Sequence, residues 1–241
     1  MSSTTRSESL DHSTAAPDAH TEASLARRAW IVLAVVLLFS IAAPLNQFKV
    51  PPIMPVLMDA FRLSVGDAGI LMSVYALTGL ILAIPAGFIF QRLGFRLTGI
   101  IAGGAVVAGA ALGAISGNIT NLLASRVLEG VGTSFMAVLA PAIIAQWFRP
   151  ERRGVAMGIW AIWVPVGSTL MFVLAPALSE AGGWTTVWWF GCIFAVVSLA
   201  LYLLFVKAPP ARAAAGVAEN AAPGLPWRAV LANRNIWLLS L

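Results

Sequence analysis

Six stretches of this chain run without a single Asp, Glu, Lys or Arg: residues 29–48, 68–91, 97–125, 130–148, 154–179 and 181–206. A helix needs about 20 apolar residues to cross a bilayer, whereas a barrel strand needs about 10 that alternate in polarity. The stretches have the first length and lack the alternation, so six transmembrane helices are predicted, and the fold class is an all-α membrane protein. Charged residues make up 10% of the chain, against about 25% in a water-soluble domain. The formal net charge is +5, but the basic residues stand at span ends and form no patch. The lipid bilayer is therefore the expected partner, and nucleic acid is not.

Charge also orients the spans. With the amino terminus inside, Arg6, Arg27, Arg28, Arg92, Arg96, Arg149, Arg152, Arg153 and the basic residues from 207 onward share the inner side, while Lys49 and Arg62 lie in the outer half. This is the positive-inside pattern, and the expected location is a bacterial or archaeal cytoplasmic membrane. The spans are drawn at 30–58, 67–91, 97–117, 121–147, 153–178 and 184–206. Residues 1–28 read as a disordered cytoplasmic tail, 29–206 as the six-helix bundle, 207–233 as a cytoplasmic linker and 234–241 as the start of a truncated seventh helix. Ser64 and Asp67 have the spacing of a capping box, and Asn118 to Asn121 forms a short polar turn. Trp184, Trp188 and Trp189 read as an interfacial belt.

Residues 69–77 (GILMSVYAL) align with 154–162 (GVAMGIWAI), 85 positions later. Three spans separate the copies, so the second enters the membrane from the opposite side. The expectation is two inverted three-helix repeats with a binding site near the membrane midplane.

Between the second and third spans the chain reads GFIFQRLGFR, residues 87–96. Gly87, Arg92, Gly94 and Arg96 resemble the signature loop of the major facilitator superfamily, with Gln91 in place of its acidic residue. Arg126, Glu129 and Gly130 resemble the family's second motif, and Trp147 to Gly154 its second cytoplasmic hairpin. The resemblance covers residues 29–206 and implies one six-helix half of a two-half transporter, with a missing carboxy-terminal six-helix half as partner. It implies a cytoplasmic gating loop of Gly87, Gln91, Arg92, Gly94 and Arg96 with Glu151, Arg152 and Arg153, latched by hydrogen bonds where the carboxylate is lost. Gly158 and Gly167 have the spacing of the antiporter signature, but Met171 replaces its next glycine, which ranks drug antiport below other modes. Residues 46–55 (NQFKVPPIMP) resemble the cyanate, nitrate and nitrite porters of the family.

Lys49, Arg126 and Glu129 are the ionisable residues expected inside spans, where each costs about 2.5–3.5 kcal/mol even on a lenient scale. Arg126 and Glu129, at i and i+3, share a helix face. At about 1.5 Å per residue, Arg126 lies roughly 8 Å and Lys49 roughly 13 Å from the outer ends of their spans. By the resemblance their helices line one cavity, so the two cations are expected to converge on substrate. Snorkelling to the outer headgroups is the competing arrangement.

Prolines free backbone carbonyls where a helix faces a cavity, and Asn46 and Gln47 are expected polar contacts there. Tyr75, Trp160 and Trp163 are candidate cavity walls, with plain packing as the alternative. No nucleotide motif, metal-spaced His or Cys pair, or nucleophile with a base is present, so no cofactor, no metal and no enzyme activity is expected; Cys192 is the single cysteine. The predicted function is secondary active transport of a small organic or inorganic anion by alternating access, with proton coupling through Glu129. A drug or hydrophobic-cation efflux porter and a non-translocating sensor are the alternatives.

Overall fold

The computed structural model describes residues 19–206, with side chains from residue 24. Residues 1–18, the linker at 207–233 and the seventh helix at 234–241 lie outside the described residues. The elements are α1 (Ala19–Gln47), a 3-10 turn (Pro51–Ile53), α2 (Met54–Phe61), α3 (Val65–Ala114), α4 (Ile119–Trp147), α5 (Pro150–Trp160), α6 (Trp163–Gly182) and α7 (Trp184–Phe205). Every regular element among the described residues is helical. Five units are long and apolar enough to cross a bilayer: Ser24–Phe61, Val65–Ala114, Ile119–Trp147, Pro150–Gly182 and Trp184–Phe205.

At 50 residues α3 would be about 75 Å long if straight, over twice the hydrocarbon thickness. It is broken at Gly94, whose φ of 69° and ψ of −178° are not helical. Only glycine adopts that conformation cheaply. The packing on α4 shows what the break does. A Cβ on Gly130 would sit 2.8 Å from the Tyr75 carbonyl, and Ser134 Oγ donates to the Gly79 carbonyl, so residues 65–93 run parallel to α4. Gly109 abuts Ser125 and Gly132 abuts Ala102, so residues 95–114 run antiparallel to it. The two arms are thus an antiparallel pair turned at one glycine. The expected loop at 87–96 is corrected: its residues are helical on both sides of Gly94.

Other boundaries shift for equally local reasons. The first span is not continuous over 30–58. α1 stops at Gln47, and a turn leads into Pro51 and Pro52, which have no amide hydrogens to offer the carbonyls four residues earlier. The helix also starts at Ala19, so the end of the expected tail is helical. The fifth span divides at Ala161 and Ile162, because Pro165 leaves the Ala161 carbonyl without its helical donor. The fourth and sixth lie close to expectation, at Ile119–Trp147 and Trp184–Phe205. The capping box of Ser64 and Asp67 is formed, and Asn118 caps α4 through the Asn121 amide.

Glycine sets how closely the helices approach. Gly103 takes Leu199 and Phe39 against its bare Cα, and Gly167 sits on the backbone of α1 at Leu45. Phe39 stacks on Tyr202 at 4.6 Å, and the Tyr202 hydroxyl donates to the Phe95 carbonyl at 2.8 Å, fixing α7 against α1 and the second arm of α3. This packing leaves α1 and α4 as the most enclosed spans, and their facing sides hold the ionisable residues.

Candidate functional site

The site is built around the broken end of α1. Pro51 has no N–H to donate to the Gln47 carbonyl, and Arg126 Nη2 of α4 donates there instead, at 3.1 Å. Arg126 Nη1 donates to the Asn46 carbonyl at 2.7 Å. A guanidinium thus caps a helix that ends inside the membrane, where the partial negative charge of the carboxyl end favours it.

Glu129, one turn along the same helix, joins the two cations. Its Oε2 accepts from Arg126 Nη1 and its Oε1 from Lys49 Nζ, each at 2.5 Å. Lys49 Nζ also donates to Asn46 Oδ1 at 2.9 Å and lies 4.5 Å from the centre of the Trp188 ring. Arg126 lies 4.5 Å over the Tyr75 ring. The Tyr75 hydroxyl donates to the Ala43 carbonyl at 2.9 Å and contacts Thr133, whose own hydroxyl reaches the Glu129 carbonyl. The side chains of Lys49, Glu129 and Arg126 are 0%, 0% and 1% exposed. Two cations against one carboxylate leave a surplus of one positive charge. Two donors around the cluster, Arg126 Nε and the Nε1 of Trp188, are buried without a partner.

The structure therefore brings together Lys49, Arg126, Glu129, Asn46 and Tyr75. Neither cation snorkels. Asn46 meets its neighbours on all sides, since its Nδ2 donates to the Ala42 and Gly191 carbonyls, so its amide positions Lys49. Gln47 takes part through its backbone, with its side chain half-buried. Trp160 and Trp163 are not at the cluster. They stack on each other at 5.4 Å, and Trp160 Nε1 donates to Ser40 Oγ at 3.0 Å, roughly 10 Å back along α1.

The residues expected to form a gate lie at the end of the bundle where α1 begins, around the Gly94 turn and the first turn of α5. Gln91, Arg92, Gly94, Arg96, Glu151, Arg152 and Arg153 are exposed, and Gly87 is half-buried. Among the described residues no ion pair joins Arg92 or Arg96 to Glu151. Arg153 instead donates to the Phe148 carbonyl at 3.0 Å.

Two participants escaped the sequence. Trp188 is corrected from an interfacial to a fully buried residue beneath Lys49, with Trp189 alone of its neighbours exposed. Gly191, one turn on, has room for no Cβ against the Asn46 amide. No local pattern marks either one, because their partners are more than 100 positions away. The Gln47 carbonyl had a signal in Pro51, four residues on.

Comparison with known proteins supplies the wider setting. A sequence model of the Major Facilitator Superfamily matches residues 30–241. The chain is 25% identical over 177 residues to the MFS antiporter QDR3 of Candida albicans, covering 73% of this chain and 25% of that protein. It is 28% identical over 204 residues to Protein spinster homolog 3 of Homo sapiens, covering 82% and 39% respectively. Among solved structures, the proton:xylose symporter XylE superposes with a TM-score of 0.65 at 19% identity, over 76% of this chain and 46% of that one. The likeness to XylE is one of fold. The chain spans less than half the length of each of these proteins.

Proposed function

The chain belongs to the major facilitator superfamily, and on that premise we propose that it serves secondary active transport of a small anionic solute by alternating access. The observation that carries the anionic reading is the buried cluster of two cations, Lys49 and Arg126, against the single carboxylate of Glu129. In a low-dielectric interior an uncompensated charge attracts an opposite one strongly, and a solute bearing one negative charge neutralises the surplus.

In this reading the bundle rocks against a second six-helix half, its two three-helix repeats being inverted copies. Its amino terminus lies inside a bacterial or archaeal cytoplasmic membrane. The Gly87–Arg96 turn closes the inner side with Glu151, Arg152 and Arg153. The test is uptake of labelled anions into vesicles carrying the protein as its natural reading frame encodes it, comparing wild type with Arg126→Gln. Loss of anion uptake with protein insertion unchanged supports the reading. Intact uptake overturns it and favours efflux of drugs or hydrophobic cations. Binding without accumulation indicates a sensor.

A further inference from the structure

A guanidinium has five N–H donors. In Arg126 three hydrogen bonds are made, to the Asn46 carbonyl, to Glu129 Oε2 and to the Gln47 carbonyl. Two donors are left over, and one is Nε–H, buried and unpartnered. Lys49 differs. Its ammonium is enclosed by Glu129, Asn46 and the face of Trp188. Among the charged groups the unfilled capacity therefore lies on one edge of Arg126, and the neutral Nε1–H of Trp188 beneath Lys49 is the other donor without a partner. A buried charged donor lacking an acceptor is costly to keep, and a guanidinium edge fits two oxygens of one planar anion.

Charge narrows the ligand further. The surplus is one unit, reduced but not cancelled by roughly half a charge from the carboxyl end of α1. A monovalent anion neutralises it, a divalent anion leaves a buried negative charge, and a neutral solute leaves the positive one. Glu129 already accepts from both cations, so a monovalent anion balances the cluster without any added proton.

Resting on the anionic-solute reading above, we propose that the cluster seats one planar monovalent oxoanion of the carboxylate type. The anion lies along the Nε edge of Arg126 with Glu129 still ionised, so that binding takes up no proton. Removing the Glu129 charge raises the surplus to two and reverses the preference toward divalent anions.

The experiment is calorimetric titration of the full chain in detergent with formate, oxalate and formamide as monovalent, divalent and neutral probes. Each is run in two buffers of different protonation heat. Wild type is expected to bind formate with no buffer-dependent heat, and oxalate and formamide about tenfold more weakly or worse. Arg126→Lys keeps the charge but loses the planar edge, and it should weaken formate about tenfold or more. Glu129→Gln should bind oxalate better than formate. If either variant does not fold, the valence ratio and proton count of wild type decide alone. Oxalate binding as tightly as formate, or one proton taken up per formate, overturns this inference and leaves the anionic reading standing. Absence of binding by either anion, or equal binding of formamide, overturns both.

Discussion

Replacing Glu129 with glutamine takes the negative charge out of the cluster while nearly preserving its volume. In the structure that carboxylate accepts two charge-assisted hydrogen bonds of 2.5 Å, one from each cation, and is itself fully buried. Without it, Lys49 and Arg126 are left as like charges with no anion between them, and at an effective dielectric constant near 20 two like charges about 4 Å apart repel by about 4 kcal/mol. Removing one member of a buried ion pair costs about 3–5 kcal/mol in general, because the partner is left uncompensated. The two figures are alternative accounts of one loss and agree, so Glu129→Gln should destabilise the bundle by about 3–5 kcal/mol.

Lys49→Met is the control that makes the argument sharp. It removes one cation and leaves Arg126 and Glu129 as a neutral pair on one helix face, so it should cost less than Glu129→Gln although it deletes both bonds of the ammonium while the glutamine oxygen can still accept one. Unfolding can be followed by a thiol-reactive fluorophore, since Cys192 is the single cysteine and is buried beside the second arm of α3 at Val107. A sodium dodecyl sulfate titration read by that label converts the order of the variants into free energies. If Glu129→Gln proves as stable as Lys49→Met or more so, charge compensation is not what holds the cluster together, and the reasoning fails.

Other substitutions probe neighbouring parts of the same construction. Gly94→Ala should destabilise by about 1–3 kcal/mol through its backbone alone, since a Cβ there meets nothing within 4 Å while φ is +69°; a neutral result in the same titration would mean that the turn relaxes to another conformation. Gly130→Ala drives a methyl to within 2.8 Å of the Tyr75 carbonyl and 2.9 Å of Thr78, and should cost about 1–3 kcal/mol by separating α4 from the first arm of α3. Tyr75→Phe removes the hydroxyl bonded to Ala43 but keeps the ring under Arg126. Its cost should be about 1 kcal/mol, with Tyr75→Leu costing more; equal effects would deny the ring any part in holding the guanidinium.

Much of this was legible in the chain because the signals are local. Uncharged runs of span length mark the helices, Ser64 and Asp67 mark a cap, and Arg126 with Glu129 announces a pair one turn apart. What resisted reading depends on contacts distant in sequence or on single backbone angles. Trp188 looks like any tryptophan near a span end until Gly113 and Lys49 are seen against its ring. The sequence motif at 87–96 suggested a loop, whereas one glycine with a left-handed φ does the turning. Asn46 looked like a free amide because nothing nearby announces that the Gly191 carbonyl and Lys49 both reach it.

Burial also bears on how a solute reaches Arg126. Side chains turned toward a cavity between this bundle and further helices would be open when the bundle stands alone, and Lys49, Arg126 and Glu129 are closed. In the proposed transport reading, a route to them would need motion within the bundle as well as rocking against a second half. Trp188 and Tyr75, which cover the cations on two sides, belong to helices anchored by close glycine contacts at Gly113 and Gly130. Lys49 itself stands in the stretch from Phe48 to Ile53, where Pro51 and Pro52 remove two amide donors and a 3-10 turn replaces the helix. That stretch has the least backbone hydrogen bonding to lose, and its last helical carbonyls are held by Arg126 itself. In the proposed binding mode a ligand that draws Arg126 toward itself would weaken the cap on α1 in the same act, so that occupancy of the cluster and the position of the carboxyl end of α1 would be coupled by one side chain.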